Sequence, residues 1–275
     1  MAFMSDALFT IKERVYVVTG ATGALAGAVT RQLLGAGAHV VLIGRSQEKL
    51  DAAVAKLPKD GGKALGLPCD VTDAEGAAQV RDQVLSELGR IDGLVNGAGG
   101  NMPGAVIKPE ESVFDLKLED YDGVMKLNLH GTLIPSLAFG EHFARQGHGA
   151  IVNFSSASST HALTRVLGYS NAKAAVDNLT RWMATEFAHK YGDKLRVNAV
   201  CPGFFVGEQN RRLLLNEDGS LTARGQQIVN QTPMQRFGEA EEVSGAVHFL
   251  LSDAARFITG QVINIDGGFG IYSGV

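Results

Sequence analysis

Cysteine is almost missing from this chain. Only Cys69 and Cys201 occur, too few for a dense disulfide framework and without the spacing of a metal-ligand set. Their scarcity points to a reducing compartment and an expected cytoplasmic location. The seven histidines are scattered, with no HExxH-like pair, so no metal site is expected. A basic excess is also lacking: 25 lysines and arginines stand against 29 acidic residues, a net charge of −4, with a pI of about 6.0. That balance offers no broad cationic surface, and nucleic acid is not an expected partner. Long apolar runs are absent too. The most suspicious run, the sixteen uncharged residues from Val15 to Thr30, is broken by Gly and Thr, whereas a membrane span needs about 20 predominantly apolar residues. The leading MAFMSDALF has no basic segment and carries Asp6, so it does not read as a secretory leader. No membrane partner is expected.

What the chain does have is glycine and apolar side chains. With 34 glycines, 45% hydrophobic residues and only 20% charged ones, it can bury a sizeable core and is not disordered. Its 275 residues suit one large α/β domain, and no repeat, low-complexity tract or second-domain boundary interrupts it. Val15–Thr19 (VYVVT) reads as a strand, Ala24 to Gly35 as a helix and His39–Ile43 as a second buried strand. Strand, glycine turn, helix and strand make a βαβ unit, whose right-handed crossover sets the helix N-terminus over the strand ends. A phosphate placed there meets free N–H groups and the positive dipole end. Further strands are expected at 63–68, 92–95, 150–155, 196–201 and 261–265. Helices are expected at 46–57, 75–88, 119–145, from 169 onward and at 240–251. This order predicts a single doubly wound Rossmann-type α/β domain over residues 1–275, with a largely parallel sheet and helices on both faces. Residues 204–233, helical around RRLLL and GQQIVN with a turn at Asn216–Gly219, read as a lid, since so long a segment without strands commonly covers a site.

Three residues between Asn153 and Lys173 make a proton-transfer device: Ser156, Tyr169 and Lys173. Tyr169 and Lys173 are four apart in a helical stretch, so both lie on one helix face. A phenol with a pKa of about 10 is a poor acid or base at neutral pH, and bringing it one pH unit closer takes about 1.4 kcal/mol. An adjacent ammonium favours the phenolate, so Lys173 is expected to bring Tyr169 toward the working range. A serine hydroxyl at the preceding strand end is placed to hold a carbonyl or hydroxyl against that phenol. A YxxxK spacing also arises by chance in ordinary helices; its surroundings give it weight.

IVNFSS followed by YSNAK, with Ser156 thirteen residues before Tyr169, resembles the short-chain dehydrogenase/reductase family, and the resemblance extends over nearly the whole chain. It implies Ser156, not Ser155, as the catalytic serine, and Asn128 in LNLHG as the holder of a relay water to Lys173. The turn TGATGALAG, Thr19 to Gly27, stands where the family has TGxxxGxG, with Ala24 and Ala26 in two glycine positions. Gly20, Thr22, Gly23 and Leu25 are its expected cofactor contacts. The family's acid after the second strand is replaced by Gly44, followed by Arg45; an arginine there pairs with a 2′-phosphate. NADP(H) is therefore expected, with NAD(H) the alternative if Arg45 is only a solvated loop residue. The resemblance sets Asp70 and Val71 at the adenine, although Asp70 also suits a turn before the next helix. It sets Asn96, Gly97 and Ala98 at the floor of the cofactor site, closing it by backbone contact and supporting the central sheet. Gly97 departs from the family's NNAG and is expected to keep the loop flexible. Pro202, Gly203 and the Phe205 amide are implied at the nicotinamide carboxamide. Gly207 replaces a usual threonine, so one hydroxyl contact is missing. A homo-oligomer, tetramer or dimer, is implied through the helices carrying Asn128 and Tyr169.

Within the family, GAGGNMPGA, LTRVLGYSNAK, the lid sequence and the DGGFGIYSGV tail resemble the fructuronate reductase (D-mannonate oxidoreductase) branch. The implied reaction is reversible keto reduction of D-fructuronate to D-mannonate. Other polyols, ketoses or 3-oxoacyl thioesters are the alternative substrates. A non-catalytic dinucleotide-sensing protein is the alternative of another class, against which stand both Tyr169 and Lys173. A sugar-acid carboxylate calls for a cation, and Arg165, four residues before Tyr169, is its expected partner. Gln209 and Asn210, with Arg211 and Arg212, offer contacts from the lid. One of two adjacent arginines on a helix faces away, and Arg165 could equally serve a surface or subunit contact.

Overall fold

Seven strands carry the fold: β1 Val15–Thr19, β2 His39–Gly44, β3 Ala64–Pro68, β4 Gly93–Asn96, β5 Gly149–Phe154, β6 Leu195–Pro202 and β7 Val262–Ile265. The computed structural model describes residues 5–59, 61–207 and 210–274. All strand pairs are parallel, in the order β3-β2-β1-β4-β5-β6-β7. The inner strands β1, β4, β5 and β6 are buried along their whole length. That is why they read as continuous apolar runs rather than alternating ones: helices cover both faces of a parallel sheet.

One face is closed by α1 Ala24–Gly35, α2 Gln47–Ala55 and α9 Glu241–Leu251, whose Val29, Leu33, Val247 and Leu250 join one core cluster. The other is closed by α3 Ala74–Leu88, α5 Gly131–Gln146 and α6 Leu167–Tyr191, through Val80, Val84, Phe139, Phe143 and Met183. Ser46 and Asp73 cap α2 and α3 with their side chains, as N-cap residues do. Successive crossovers run in opposite directions from β1, so the order reverses between β1 and β4. Ligands bind at such a switch point, outside the carboxyl ends of the strands.

The expected long helix at 119–145 is not continuous. Helix α4 Leu118–Met125 passes into α5 through a π-turn at Lys126–His130. Asn128 supplies the cause: its side-chain amide donates to the Val124 carbonyl at 2.9 Å, the acceptor its own backbone N–H would use in an α-helix. The turn widens accordingly. In the lid, α7 Arg211–Leu214 and α8 Ala223–Gln231 are joined through a Leu215–Leu221 antiparallel bridge. The 101–117 loop carries two 3₁₀ turns, Pro103–Ala105 and Val113–Asp115. Among the described residues no helix is long and apolar enough to cross a membrane.

Candidate active site

At the carboxyl ends of β1, β4, β5 and β6 a cleft of about 600 Å³ opens. Its floor comes from the first βα turn. Gly20 has φ 66°, a left-handed conformation, and a Cβ there would stand 2.7 Å from the Ala98 backbone. Only glycine fits. Gly23 is the N-cap of α1 and makes no side-chain cap hydrogen bond, and no acid lies in the first turn. The first N–H groups of a helix have no intrahelical acceptor, so this end is suited to an anion. Thr22, Gly23 and Leu25 line the cleft beside Gly20 and Gly97. The cradle that a Cβ would fill and the uncapped helix end fit a dinucleotide pyrophosphate. A dinucleotide bound there would supply or accept the hydride.

Gly97, expected to keep the loop flexible, stands where a side chain has no room. A Cβ there would lie 2.7 Å from the Cβ of Ala26 and 2.9 Å from the Thr19 carbonyl oxygen. Steric room is the reason for glycine at this position. Ala98 is tied down through its N–H, which donates to Thr19 Oγ1 at 3.1 Å. The Asn96 side chain does not reach the cleft. It is buried, donating to Ser136 Oγ at 2.8 Å and Asn153 Oδ1 at 2.9 Å, and so bolts β4 to β5 and α5. Period two along the strand explains the outcome, since Asn96 ends β4 with its side chain on the helix face.

The adenosine end lies past β2 and β3. Arg45 is exposed, next to Gly44. Asp70 Oδ1 accepts from both the N–H and the hydroxyl of Thr72 at 2.8 Å. These bonds, assisted by the charge of Arg45, hold its carboxyl below the usual range. Val71 packs under the start of α5, where a Cβ at Gly131 would lie 2.9 Å from its Cγ2.

Ser156, Tyr169 and Lys173 line the cleft together, as their spacing predicts. Ser156 Oγ accepts from the N–H of Ser158 at 3.2 Å and meets its hydroxyl at 3.1 Å, so the serine is oriented before any substrate arrives. Lys173 is only 3% exposed and donates from Nζ to the Phe154 carbonyl at 2.7 Å. Burial pushes its pKa down to about 8, against the opposing charge of Asp177. The expected lowering of Tyr169 by Lys173 is not what this arrangement produces. Burial pushes the phenol up, and the countering influence is the Ser156 hydroxyl. Lys173 Nζ stands 5.6 Å from the centre of the Tyr169 ring, and its own partial loss of charge weakens it further. Desolvation outweighs the pair.

Asn128 is fully buried, and its amide is committed to the loop after β4. It accepts from Gly100 N–H at 2.9 Å and donates to the Gly100 carbonyl at 2.7 Å. A Cβ at Gly99 would stand 2.6 Å from Asn128 Oδ1 and 3.4 Å from Lys173 Nζ. Loop, asparagine and lysine therefore meet at one point.

Pro202, Gly203, Phe205 and Gly207 form the opposite wall. Asn210 reaches that wall but is engaged by it: the Gly207 N–H donates to Oδ1 and Nδ2 donates to the Phe205 carbonyl, each at 2.8 Å. It holds the turn rather than presenting a free amide to a substrate. Gln209 lies outside the described residues. Arg211 and Arg212 are both exposed. Arg165 is half-buried beyond the cleft walls, with a left-handed φ of 76°. Arg31, Ala240 and Arg224 carry no motif and were not readable as site residues; the first two reach the cleft wall, and Arg224 comes to the loop of Arg165. Among the described residues no group of three or more His, Cys, Asp or Glu is placed to hold a metal ion.

Comparison with known proteins agrees with this geometry. The profile of a family described as Enoyl-(Acyl carrier protein) reductase matches residues 20–270. The uncharacterised oxidoreductase UxuB of Bacillus subtilis (strain 168) is 38% identical over 268 residues, covering 94% of this chain and 95% of its own. A crystal structure from Haemophilus influenza, of a candidate D-mannonate oxidoreductase with bound NAD, superposes with a TM-score of 0.90 at 36% identity, covering 97% and 98% of the two chains. A gluconate 5-dehydrogenase from Burkholderia cenocepacia J2315, in complex with NADP and tartrate, gives 0.84 at 30% identity, covering 95% and 97%. By its parallel sheet, its cleft at the strand switch and these likenesses, the chain belongs to the short-chain dehydrogenase/reductase family and is an oxidoreductase of CH–OH or keto groups.

Proposed function

We propose that the protein interconverts D-fructuronate and D-mannonate with NADP(H). The observation that carries this reading is the placing of the oriented Ser156 hydroxyl, Tyr169 and Lys173 in one cleft, with the part-buried cation Arg165 four residues upstream of Tyr169. The likeness to a candidate D-mannonate oxidoreductase supports the substrate. In reduction, Tyr169 gives its proton to the carbonyl oxygen while Ser156 fixes that oxygen. Lys173 holds the cofactor ribose and returns a proton, and Asn128 anchors the relay by fixing Gly99 and Gly100 beside the lysine. Arg165 takes the substrate carboxylate. Gly20, Gly23 and Leu25 receive the pyrophosphate, Asp70 and Val71 the adenine, and the Phe205 amide the carboxamide.

Arg45, exposed beside Gly44 where an acid would bar a 2′-phosphate, supports NADP(H) over NAD(H). An assembly of copies through α5 and α6 is part of the proposal. Leu137 and Trp182 are 56% and 62% exposed on those helices, and such apolar exposure suits a contact face. The two unpaired cysteines suit a cytoplasmic setting.

The deciding experiment measures NADPH and NADH oxidation with D-fructuronate and other keto acids, and the reverse reaction with D-mannonate, D-gluconate and D-mannitol. The reading expects the highest kcat/KM for the D-fructuronate and D-mannonate pair. Preference for uncharged polyols or acyl thioesters would replace it.

A further inference from the structure

We propose that Arg165 and Arg224 together form a two-sided anion site, which holds the substrate carboxylate and latches lid helix α8 onto the 160–166 loop. This rests on the sugar-acid reading and adds to it a lid residue that no motif marks. Arg224 Nη1 donates to the Thr164 hydroxyl at 3.2 Å, so the lid reaches the residue adjoining Arg165. The loop itself is fixed on its other side, where the Ile107 N–H donates to the Arg165 carbonyl at 3.0 Å.

The electrostatics of this junction are one-sided. Among the described residues neither arginine takes part in an ion pair, whereas Arg14, Arg31, Arg81, Arg90, Arg145 and Arg236 each do. Arg224 is also in the first turn of α8, which contains no acid. A cation there opposes the positive end of the helix dipole. Burial, and then the charge of Arg165, push the Arg224 guanidinium below its usual pKa. Arg165 adds a left-handed backbone at a residue with a Cβ, a conformation that is unfavourable and found where surroundings impose it. Two like charges, an opposing dipole and a strained backbone at one junction are each unfavourable. One bound carboxylate relieves the first two together. Two guanidinium forks can hold its two oxygens from opposite sides.

The test uses cofactor-saturated protein and titration calorimetry with D-mannonate and its uncharged counterpart D-mannitol. The variants are Arg165→Met, Arg224→Met, Arg224→Lys and the double methionine variant. D-mannonate affinity is expected to fall at least tenfold in Arg224→Met and Arg165→Met, and to recover in part in Arg224→Lys. The double variant is expected to lose less than the product of the single losses, because one anion is shared. D-mannitol affinity should shift less than twofold. Limited trypsin digestion gives a second readout: D-mannonate should protect the exposed Arg211–Arg212 site of the native protein but not of Arg224→Met. Unchanged D-mannonate affinity in Arg224→Met, equal loss of both ligands, or equal protection would overturn the latch. Native protein that turns over sugar acids while Arg224→Met binds them normally removes only the latch. Native protein without affinity for sugar acids removes the latch and the sugar-acid reading together.

Discussion

The Cβ of Ala26 occupies the space that a side chain at Gly97 would need, at a separation of 2.7 Å. Two departures from the family's usual pattern are thus one exchange of volume across the base of the cofactor cleft. The first turn of α1 carries a methyl where the family has glycine, and the loop after β4 has no side chain where the family has asparagine. Gly97→Ala is expected to destabilise the fold by about 1–3 kcal/mol, the usual cost of overpacking. Adding Ala26→Gly should recover most of that loss, although the Thr19 carbonyl at 2.9 Å keeps recovery incomplete. Thermal unfolding of the two single variants and the double variant checks this. Additive losses would mean the two positions do not interact.

Tyr169→Phe removes one hydroxyl from the cleft and leaves its packing intact. Turnover should be abolished while cofactor binding, followed by fluorescence or calorimetry, remains. Lys173→Met should lose both rate and cofactor affinity. Near-native activity of Tyr169→Phe would remove the phenol from the proton path.

Lys173 sets an expected pH limit. With its pKa pushed down to about 8, the ammonium is present below that pH and lost above it. The kcat/KM for reduction should therefore decline on the alkaline side near pH 8. Asp177, one helical turn on, is 4% exposed, and its Oδ1 has no partner among the described residues. Its charge opposes the lowering; the Cys201 thiol on β6, pushed up to about 12 by burial, stays neutral in this range, and the Phe154 carbonyl and Tyr169 are the other neighbours of the ammonium. Asp177→Asn should move the alkaline limb to lower pH, with cofactor affinity measured below the limb little changed. An unmoved limb would place another group in control.

Replacing Arg45 by a neutral residue should weaken NADPH far more than NADH, by about 1–3 kcal/mol for a charge-assisted contact. Steady-state KM values for both cofactors decide it. Equal losses would show that Arg45 does not meet the 2′-phosphate.

Local patterns and a family resemblance carried much of this protein. Alternation of apolar runs, glycine turns and helical stretches determined the order of strands and helices, because each follows from neighbours a few residues apart. Ser156, Tyr169 and Lys173 were legible for the same reason: a strand end, and a spacing of four on one helix. The roles of side chains brought together from distant segments were not. Asn210 looks like a ligand contact in the chain, yet the fold spends its amide on the Phe205 turn, and the partners that the Asn96 amide finds on β5 and α5 lie far from it in sequence. The π-turn at Asn128 depends on a side chain capturing a backbone acceptor, which periodicity does not register. Burial reversed the expected shift of Tyr169, since desolvation is a property of everything packed around a group and not of the residue four places along. The meeting of Arg224 with the loop of Arg165, 59 positions apart in the chain, exists only because α8 packs back against the 160–166 loop.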